Sequence, residues 1–138
     1  MADRLGFGTA TALADNLSAP AGSLPRAEEL NSPAAVANFA FGQGTLMATP
    51  LQLASLYACI ANDGGYQKAM LIEGLVDDEG NLLEEAEIQP PLQAMSVSTA
   101  HTIQRFLIQT VEEGSGRHAK PEGGTAAGKN SDRADRLV

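Results

Sequence analysis

Ser115 and His118 suggest nucleophilic chemistry, because a serine hydroxyl becomes reactive when a nearby base accepts its proton. The two residues are three positions apart in a glycine-rich segment. This spacing does not force the side chains to meet, and no acidic residue is evidently placed to orient the imidazole ring. We therefore expect no serine–histidine catalytic pair. The other histidine, His101, is expected on the polar side of a helix, at the protein surface.

The segment from Gly123 to Asn130 nearly matches Gly-x4-Gly-Lys-Ser/Thr, the phosphate-binding loop of nucleotide hydrolases. Asn130 stands where that motif needs a hydroxyl for magnesium. The preceding residues are polar and include Pro121, so they do not predict a buried strand. Only eight residues follow Asn130, too few for the helix whose amino end would meet a phosphate. Nucleotide binding remains an alternative, and a nucleotide titration would test it.

Neither a metal site nor a nucleic-acid site is indicated. The acidic residues Asp77, Asp78 and Glu79 lack the spacing of a calcium loop, and a solvated turn is expected there. The single cysteine, Cys59, lies far in sequence from both histidines and gives no zinc spacing. We therefore expect Cys59 to be a small residue of the protein core, located on a helix. The net charge of −8 argues against a nucleic-acid partner. No metal ion or organic cofactor is expected.

The chain must place its candidate residues on a few regular elements. Thr49 is a suitable cap for a helix over residues 50–62, whose first residue is a proline. Leu53, Tyr57 and Ile60 recur at helical spacing and predict the buried stripe of this helix.

A second helix is predicted to begin after Ser96 and to end at Gly114, since apolar residues recur there every three or four positions. The remaining segments are assigned as loops and turns over residues 1–35, a strand over 70–76, a turn over 77–81, an exposed linker over 84–91, and the beginning of a strand over 125–129.

Several segments together resemble the transpeptidase domain of penicillin-binding proteins. Residues 42–54 (GQGTLMATPLQLA) resemble the family's Gly-Gln-Gly segment and the helix after it, and residues 57–65 continue the resemblance. Residues 111–119 and the later Gly128-Lys129 resemble the approach to the family's Lys-Thr-Gly strand. Residues 5–9 (LGFGT) resemble the segment that precedes these. The matching segments follow the expected order and cover most of the chain.

This resemblance implies an α+β fold in which helices pack on an antiparallel sheet, with much loop. At 138 residues the chain is long enough for one domain. Residues 1–138 are therefore expected to form one partial transpeptidase domain, its C-terminal part. In the family, the segment corresponding to Gly42, Gln43 and Gly44 is scaffold near the active site, and its glycines permit a sharp turn onto a helix.

Family transpeptidases transfer an acyl group. A serine attacks D-alanyl-D-alanine, and the lysine of Ser-x-x-Lys takes the serine proton. No serine in this sequence has a lysine three positions later, and none has an asparagine two positions later. Both the Ser-x-x-Lys and the Ser-x-Asn elements are therefore absent, and no catalytic residue is expected in this chain.

Lys129, Asn130 and Ser131 occupy the position of the family's Lys-Thr-Gly element. In the family, the threonine hydroxyl helps to hold the substrate carboxylate, and the glycine lets the substrate backbone approach an edge strand. Asn130 keeps a hydrogen-bond donor, whereas Ser131 adds a side chain. The resemblance implies a degenerate substrate-binding element at these three residues.

The resemblance implies a parent protein that cross-links peptidoglycan, binds β-lactams, and lies outside the cytoplasmic membrane, anchored to it. The peptidoglycan stem peptide and β-lactams are the partners implied for that parent. The chain alone is expected to be inactive, to show no signal or transmembrane segment, and to associate with a second copy or with the missing half of the domain. A non-catalytic interaction module is the main alternative. Light scattering would distinguish the two, because the module would remain monomeric whereas the transpeptidase fragment would associate.

Overall fold

The computed structural model describes residues 2–130 of the chain. Three short 3-10 helices cover Ala2–Leu5, Ala27–Glu29 and Arg117–Ala119. The strands and α-helices, in chain order, are β1 (Thr11–Ala14), β2 (Leu17–Ala19), α1 (Pro33–Ala40), α2 (Pro50–Ala61), β3 (Gly65–Tyr66), β4 (Gly74–Val76), β5 (Leu82–Glu85), β6 (Leu92–Gln93) and α3 (Val97–Glu112).

Each α-helix begins at a hydroxyl side chain that accepts a hydrogen bond from the backbone of its first turn. Ser32 caps α1, Thr49 caps α2 and Ser96 caps α3. In α2 the bond is reciprocal: Thr49 Oγ1 accepts from the Gln52 amide at 3.2 Å, and Gln52 Oε1 accepts from the Thr49 amide at 3.0 Å. This capping box satisfies donors that a helix start leaves unpaired. Both helices expected from the sequence are confirmed.

The strands form three separate antiparallel ladders of two strands each: β1 with β2, β3 with β6, and β4 with β5. The α+β class is confirmed, with helices accompanied by small antiparallel sheets. Within residues 2–130 these strands do not join into one broad sheet, and each of them is at most four residues long. Glycines, prolines and acidic turns interrupt the apolar runs before longer strands can pair.

Two elements were not predicted from the sequence. The segment before the Gly-Gln-Gly turn is helix α1, whose signal was Ser32 followed by Pro33, a cap and a first-turn proline. Residues 11–19 form the β1–β2 hairpin, in which Thr11 pairs with Ala19 and Ala12 with Ser18. Small residues and a single Asn-containing turn give weak strand signals, and tertiary packing decides such segments.

Two strand assignments and the predicted linker also require correction. Within the segment 70–76 only β4 (Gly74–Val76) is strand. The first two residues of the predicted linker over 84–91 belong to β5 (Leu82–Glu85), which pairs with β4. Residues 125–129 lie outside any strand of the described chain. An isolated run of small residues buries too little surface to form a strand without a neighbour that supplies hydrogen bonds.

The core lies between α2, α3 and the N-terminal 3-10 helix. Its main members are buried apolar side chains from these three elements, from the turn after the 3-10 helix and from the segment before α3: Leu5, Phe7, Cys59, Ile60, Ala94, Met95 and Ala100. Cys59 is completely buried, as expected. The predicted stripe of α2 was wrong in part, since Leu53 and Tyr57 are 44% and 38% exposed. The buried face instead contains Gln52, whose amide contacts the preceding loops.

No helix among residues 2–130 combines the length and the apolar character that crossing a membrane would require.

Candidate substrate-binding site

Lys129 and Asn130 are positioned by helix α3. The Gly128 amide donates a hydrogen bond to the Leu107 carbonyl at 3.1 Å, which attaches the segment before Lys129 to the helix. A Cβ atom on Gly128 would lie 3.6 Å from Val111 Cγ2, an ordinary contact. Val111 is itself buried in α3. The chain therefore passes close along one side of α3 just before these two residues.

Asn130 is held in place by Ser115, at the turn that follows α3. Ser115 Oγ donates to Asn130 Oδ1 at 3.0 Å, and Asn130 Nδ2 donates to the Ser115 carbonyl at 3.1 Å. The turn is fixed in its own right, because the Gly116 amide donates to the Thr110 carbonyl at 2.9 Å. Sequence reasoning missed this pairing, since the two residues are fifteen positions apart and no pattern connects them.

Lys129 is exposed, and its ammonium group donates a hydrogen bond to the Asn130 carbonyl at 2.6 Å. The positive charge is therefore held over the backbone of the next residue, on the surface beside the end of α3. Ser131, the third residue of the predicted substrate-binding element, lies outside the described residues. The structure thus brings Lys129 and Asn130 together with Ser115.

The other chemical patterns of this region have different structural roles. Ser115 Oγ bonds to Asn130, while His118 lies on the exposed 3-10 helix Arg117–Ala119. Ser115 Oγ therefore has Asn130, and not His118, as its hydrogen-bond partner in this structure. The loop Gly123 to Asn130 is preceded by that 3-10 helix and by a turn, whereas a phosphate-binding loop would follow a buried strand.

Gly42, Gln43 and Gly44 form a sharp turn between α1 and α2. Gly42 and Gly44 have φ values of 81° and 88°, in the region that favours glycine. The Gln43 amide donates to the Asn38 carbonyl at 2.8 Å, so the turn is attached to α1. The expected backbone role of the two glycines is therefore present. This turn and Lys129 are positioned by different helices, α1 and α3.

A small recess of about 320 Å³ lies between α2, α3 and the segment that leads to Lys129. It is lined by residues of both helices and by three small side chains of the following loop: Tyr57, Ile60, Ala61, Gln104, Leu107, Ile108, Thr125, Ala126 and Ala127. Gln104 Nε2 donates to the Ile60 carbonyl at 2.6 Å and joins the two helices at this point.

Titratable groups outside this region form local structural contacts. His101 Nε2 lies 2.9 Å from Asp63 Oδ1 on the surface, in agreement with the predicted exposure of His101. The Asp77 carboxylate accepts hydrogen bonds from the side chain and backbone of Asn81, and these bonds lower its pKa. Within residues 2–130, no cluster of three or more His, Cys, Asp or Glu side chains has a geometry suited to a metal ion.

Comparison with known proteins gives a consistent result over nearly the whole chain. The family model for the penicillin binding protein transpeptidase domain matches residues 1–130. The chain is 33% identical over 105 residues to penicillin-binding protein PbpB of Mycolicibacterium smegmatis, a match that covers 71% of this chain and 16% of that protein. The chain therefore spans about one sixth of that relative.

Solved structures with the same fold extend this match. The D,D-transpeptidase domain of a peptidoglycan glycosyltransferase from Eggerthella lenta superimposes with a TM-score of 0.75 at 28% identity, over 93% of this chain and 34% of that one. Penicillin binding protein 3 from Mycobacterium tuberculosis, in complex with ampicillin, superimposes with a TM-score of 0.66 at 29% identity, over 81% of this chain and 24% of that one. The sequence resemblance and the described fold lead to the same assignment, and this chain belongs to the penicillin-binding protein transpeptidase domain family.

Proposed function

We propose that this chain supplies the Lys129 side of a D,D-transpeptidase site and that the nucleophilic serine comes from sequence outside it. The parent protein would cross-link peptidoglycan by serine acyl transfer and would be acylated by β-lactams. The observation that carries this proposal is the family match over residues 1–130 in a sequence that contains no Ser-x-x-Lys. Acyl transfer needs an activated hydroxyl, so the chain alone is inactive.

Lys129 and Asn130 have the chemistry that a carboxylate ligand requires. Lys129 provides an exposed positive charge, and charge-assisted hydrogen bonds to a carboxylate are stronger than neutral ones. Asn130 is oriented by its two bonds to Ser115, which support its place at the edge of the site. In this proposal Lys129 attracts the carboxylate of a peptidoglycan stem peptide or a β-lactam, and Ser131 completes the degenerate element.

The parent's location and assemblies belong to the same proposal. A protein that acts on peptidoglycan works outside the cytoplasmic membrane, where a separate segment of the parent would anchor it. Exposed apolar side chains on α2 and α3, including Leu53, Tyr57 and Phe106, provide surface on which the rest of the domain or a second copy would pack.

A fluorescent penicillin tests the first part of the proposal. The purified chain, incubated with the probe and separated on a denaturing gel, should give no covalent band. The E. lenta transpeptidase domain serves as the positive control. A stable band on this chain that an excess of unlabelled penicillin abolishes would contradict the proposed absence of a nucleophile.

A chimera tests the role of Lys129. In it, residues 2–130 replace the superimposed part of the E. lenta domain, which retains its own upstream sequence. We expect the chimera to be acylated, and Lys129→Ala to slow acylation by about tenfold or more, the usual scale for a lost charged contact. Lys68→Ala, an exposed lysine on another surface, is the matched control. Equal acylation rates for the two variants would contradict a role of Lys129 in the site.

A further inference from the structure

An open groove of about 690 Å³ lies between the β1–β2 hairpin and the β4–β5 hairpin. The Leu71 amide, just before β4, donates to the Leu13 carbonyl of β1 at 3.3 Å and connects the two sides, while the Ala86 amide donates to the Glu73 carbonyl at 2.8 Å and extends the β4–β5 hairpin. Five large apolar side chains line the groove: Leu13, Leu17, Met70, Ile72 and Leu75. Of these, Leu17, Ile72 and Leu75 are about half exposed. Contiguous exposed apolar surface of this kind marks interaction sites.

The charged residues of this groove are acidic. Asp15 comes from the β1–β2 turn, and Glu84, Glu85 and Glu87 come from β5 and the residues after it. Among the described residues that line the groove there is no lysine or arginine. Lys68 lies in the adjoining recess, together with Asp15 and Glu87. Four acidic residues and one lysine therefore line the groove and the recess beside it.

The carboxylate groups of these residues do not stabilise the fold through pairing. Within residues 2–130, neither an ion pair nor a side-chain hydrogen bond is formed by Asp15, Glu84, Glu85 or Glu87. Their mutual repulsion is unfavourable in the isolated chain, and a cationic ligand would relieve it. The groove thus combines an apolar floor with an unneutralised acidic rim.

We propose that this groove docks a basic amphipathic segment of a partner protein, with apolar side chains on the floor and Lys or Arg side chains at the acidic rim. Such segments bind by placing one apolar face in a groove while complementary charges fix orientation. A second copy is disfavoured as occupant, because a two-fold contact through this groove would bring two identical sets of carboxylates together. An anionic membrane surface would be repelled for the same reason.

A designed peptide of Lys and Leu provides the probe. It has about twelve residues, with Leu at helical spacing on one face, so that it is roughly 18 Å long as a helix. Binding to the full chain is followed by fluorescence anisotropy in low and high salt. Two control peptides carry Glu in place of Lys, or the same composition in an order that gives no apolar face.

Two triple variants with the same net charge separate the groove from general acidity. Glu84→Gln/Glu85→Gln/Glu87→Gln removes three rim charges, whereas Glu28→Gln/Glu79→Gln/Glu122→Gln removes three exposed charges elsewhere. We expect the rim variant to weaken binding by about tenfold, with little change in the control variant. Amide hydrogen exchange should show protection over residues 13–17 and 84–87 on binding, and circular dichroism verifies that both variants remain folded.

Several results would overturn the proposal. Equal loss of affinity in both triple variants would mean that only the overall charge attracts the peptide. Binding of the Glu peptide would show that positive charge is not required, and binding of the peptide without an apolar face would show that amphipathic order is not required. A Lys–Leu peptide that does not bind would contradict the proposal directly. Self-association that the rim variant enhances and the Lys–Leu peptide prevents would assign the groove to a second copy instead.

Discussion

Gln52 donates a hydrogen bond from its side-chain Nε2 to the carbonyl oxygen of Gly6 at 2.8 Å, across 46 positions of sequence. The same nitrogen donates to the Ala21 carbonyl at 2.8 Å, and the side-chain oxygen accepts from the Thr49 amide at 3.0 Å. Gln52 is only 2% exposed. One amide thus joins the start of α2 to two loops of the N-terminal segment, and water has little access to replace it.

Replacing Gln52 should therefore reduce the stability of the folded chain. Gln52→Leu introduces an apolar side chain of similar size, leaves the Gly6 carbonyl without its side-chain donor and leaves the Ala21 carbonyl with the Gly8 amide alone. The loss should lower the free energy of unfolding by about 3 kcal/mol. Urea unfolding followed by circular dichroism measures this change. Gln109→Leu, at an exposed position of α3, is the control and should change it by less than about 0.5 kcal/mol. Similar effects for both variants would show that the buried amide is not critical.

Gly22 and Gly80 give a matched test of backbone packing. Both have positive φ values, 66° and 86°, so alanine is strained at either position. A Cβ atom at Gly22 would also lie 2.4 Å from the Met47 carbonyl oxygen and 2.8 Å from Gln52 Oε1, whereas at Gly80 it would meet nothing within 4 Å. We expect Gly80→Ala to lower the free energy of unfolding by about 1 kcal/mol through backbone strain. Gly22→Ala should lower it clearly more, because the new methyl group would also displace the neighbouring backbone. Equal losses in thermal unfolding would contradict the close approach at Gly22.

Cys59 should be chemically silent in the folded protein. Its side chain is fully buried, and burial raises the pKa of its thiol, so little of the reactive thiolate forms. A thiol reagent at mildly alkaline pH should react slowly with the native chain and rapidly in denaturant. Cys59→Ser, which buries a hydroxyl in an apolar site, should be less stable than Cys59→Ala by about 1 kcal/mol. Rapid labelling of the native chain would show that the helix pair α2–α3 opens readily.

The β4–β5 turn should depend on pH through Asp77. Hydrogen bonds from Asn81 lower the pKa of this carboxyl, so its contribution to hairpin stability is complete above the ordinary value of about 3.9 and is lost as the pH falls through the lowered value. Carbon-13 NMR titration of Asp77 measures the shift. Asn81→Ala should return the pKa toward its ordinary value, whereas Asp78→Asn should leave the Asn81 bonds in place. An unchanged Asp77 titration in Asn81→Ala would contradict this origin of the shift.

The helices α2 and α3 and their caps were predictable because their signals are local. A hydroxyl cap and a first-turn proline act within four residues, and apolar spacing repeats over several turns. The same reasoning missed α1, although Ser32 and Pro33 carried such a signal. The family assignment also came from contiguous segments, residues 42–54 and 57–65, whose order the family model matches.

The family, the two longer helices and the absence of a Ser-x-x-Lys element could all be read from the amino-acid sequence, because each depends on residues close together in the chain. The burial of Gln52 in place of Leu53, the orientation of Asn130 by Ser115 and the shared groove of acidic residues from two hairpins became visible in the folded chain. Each of these depends on contacts between residues distant in sequence, and side-chain burial follows the neighbours that the folded chain supplies rather than the periodicity of one element.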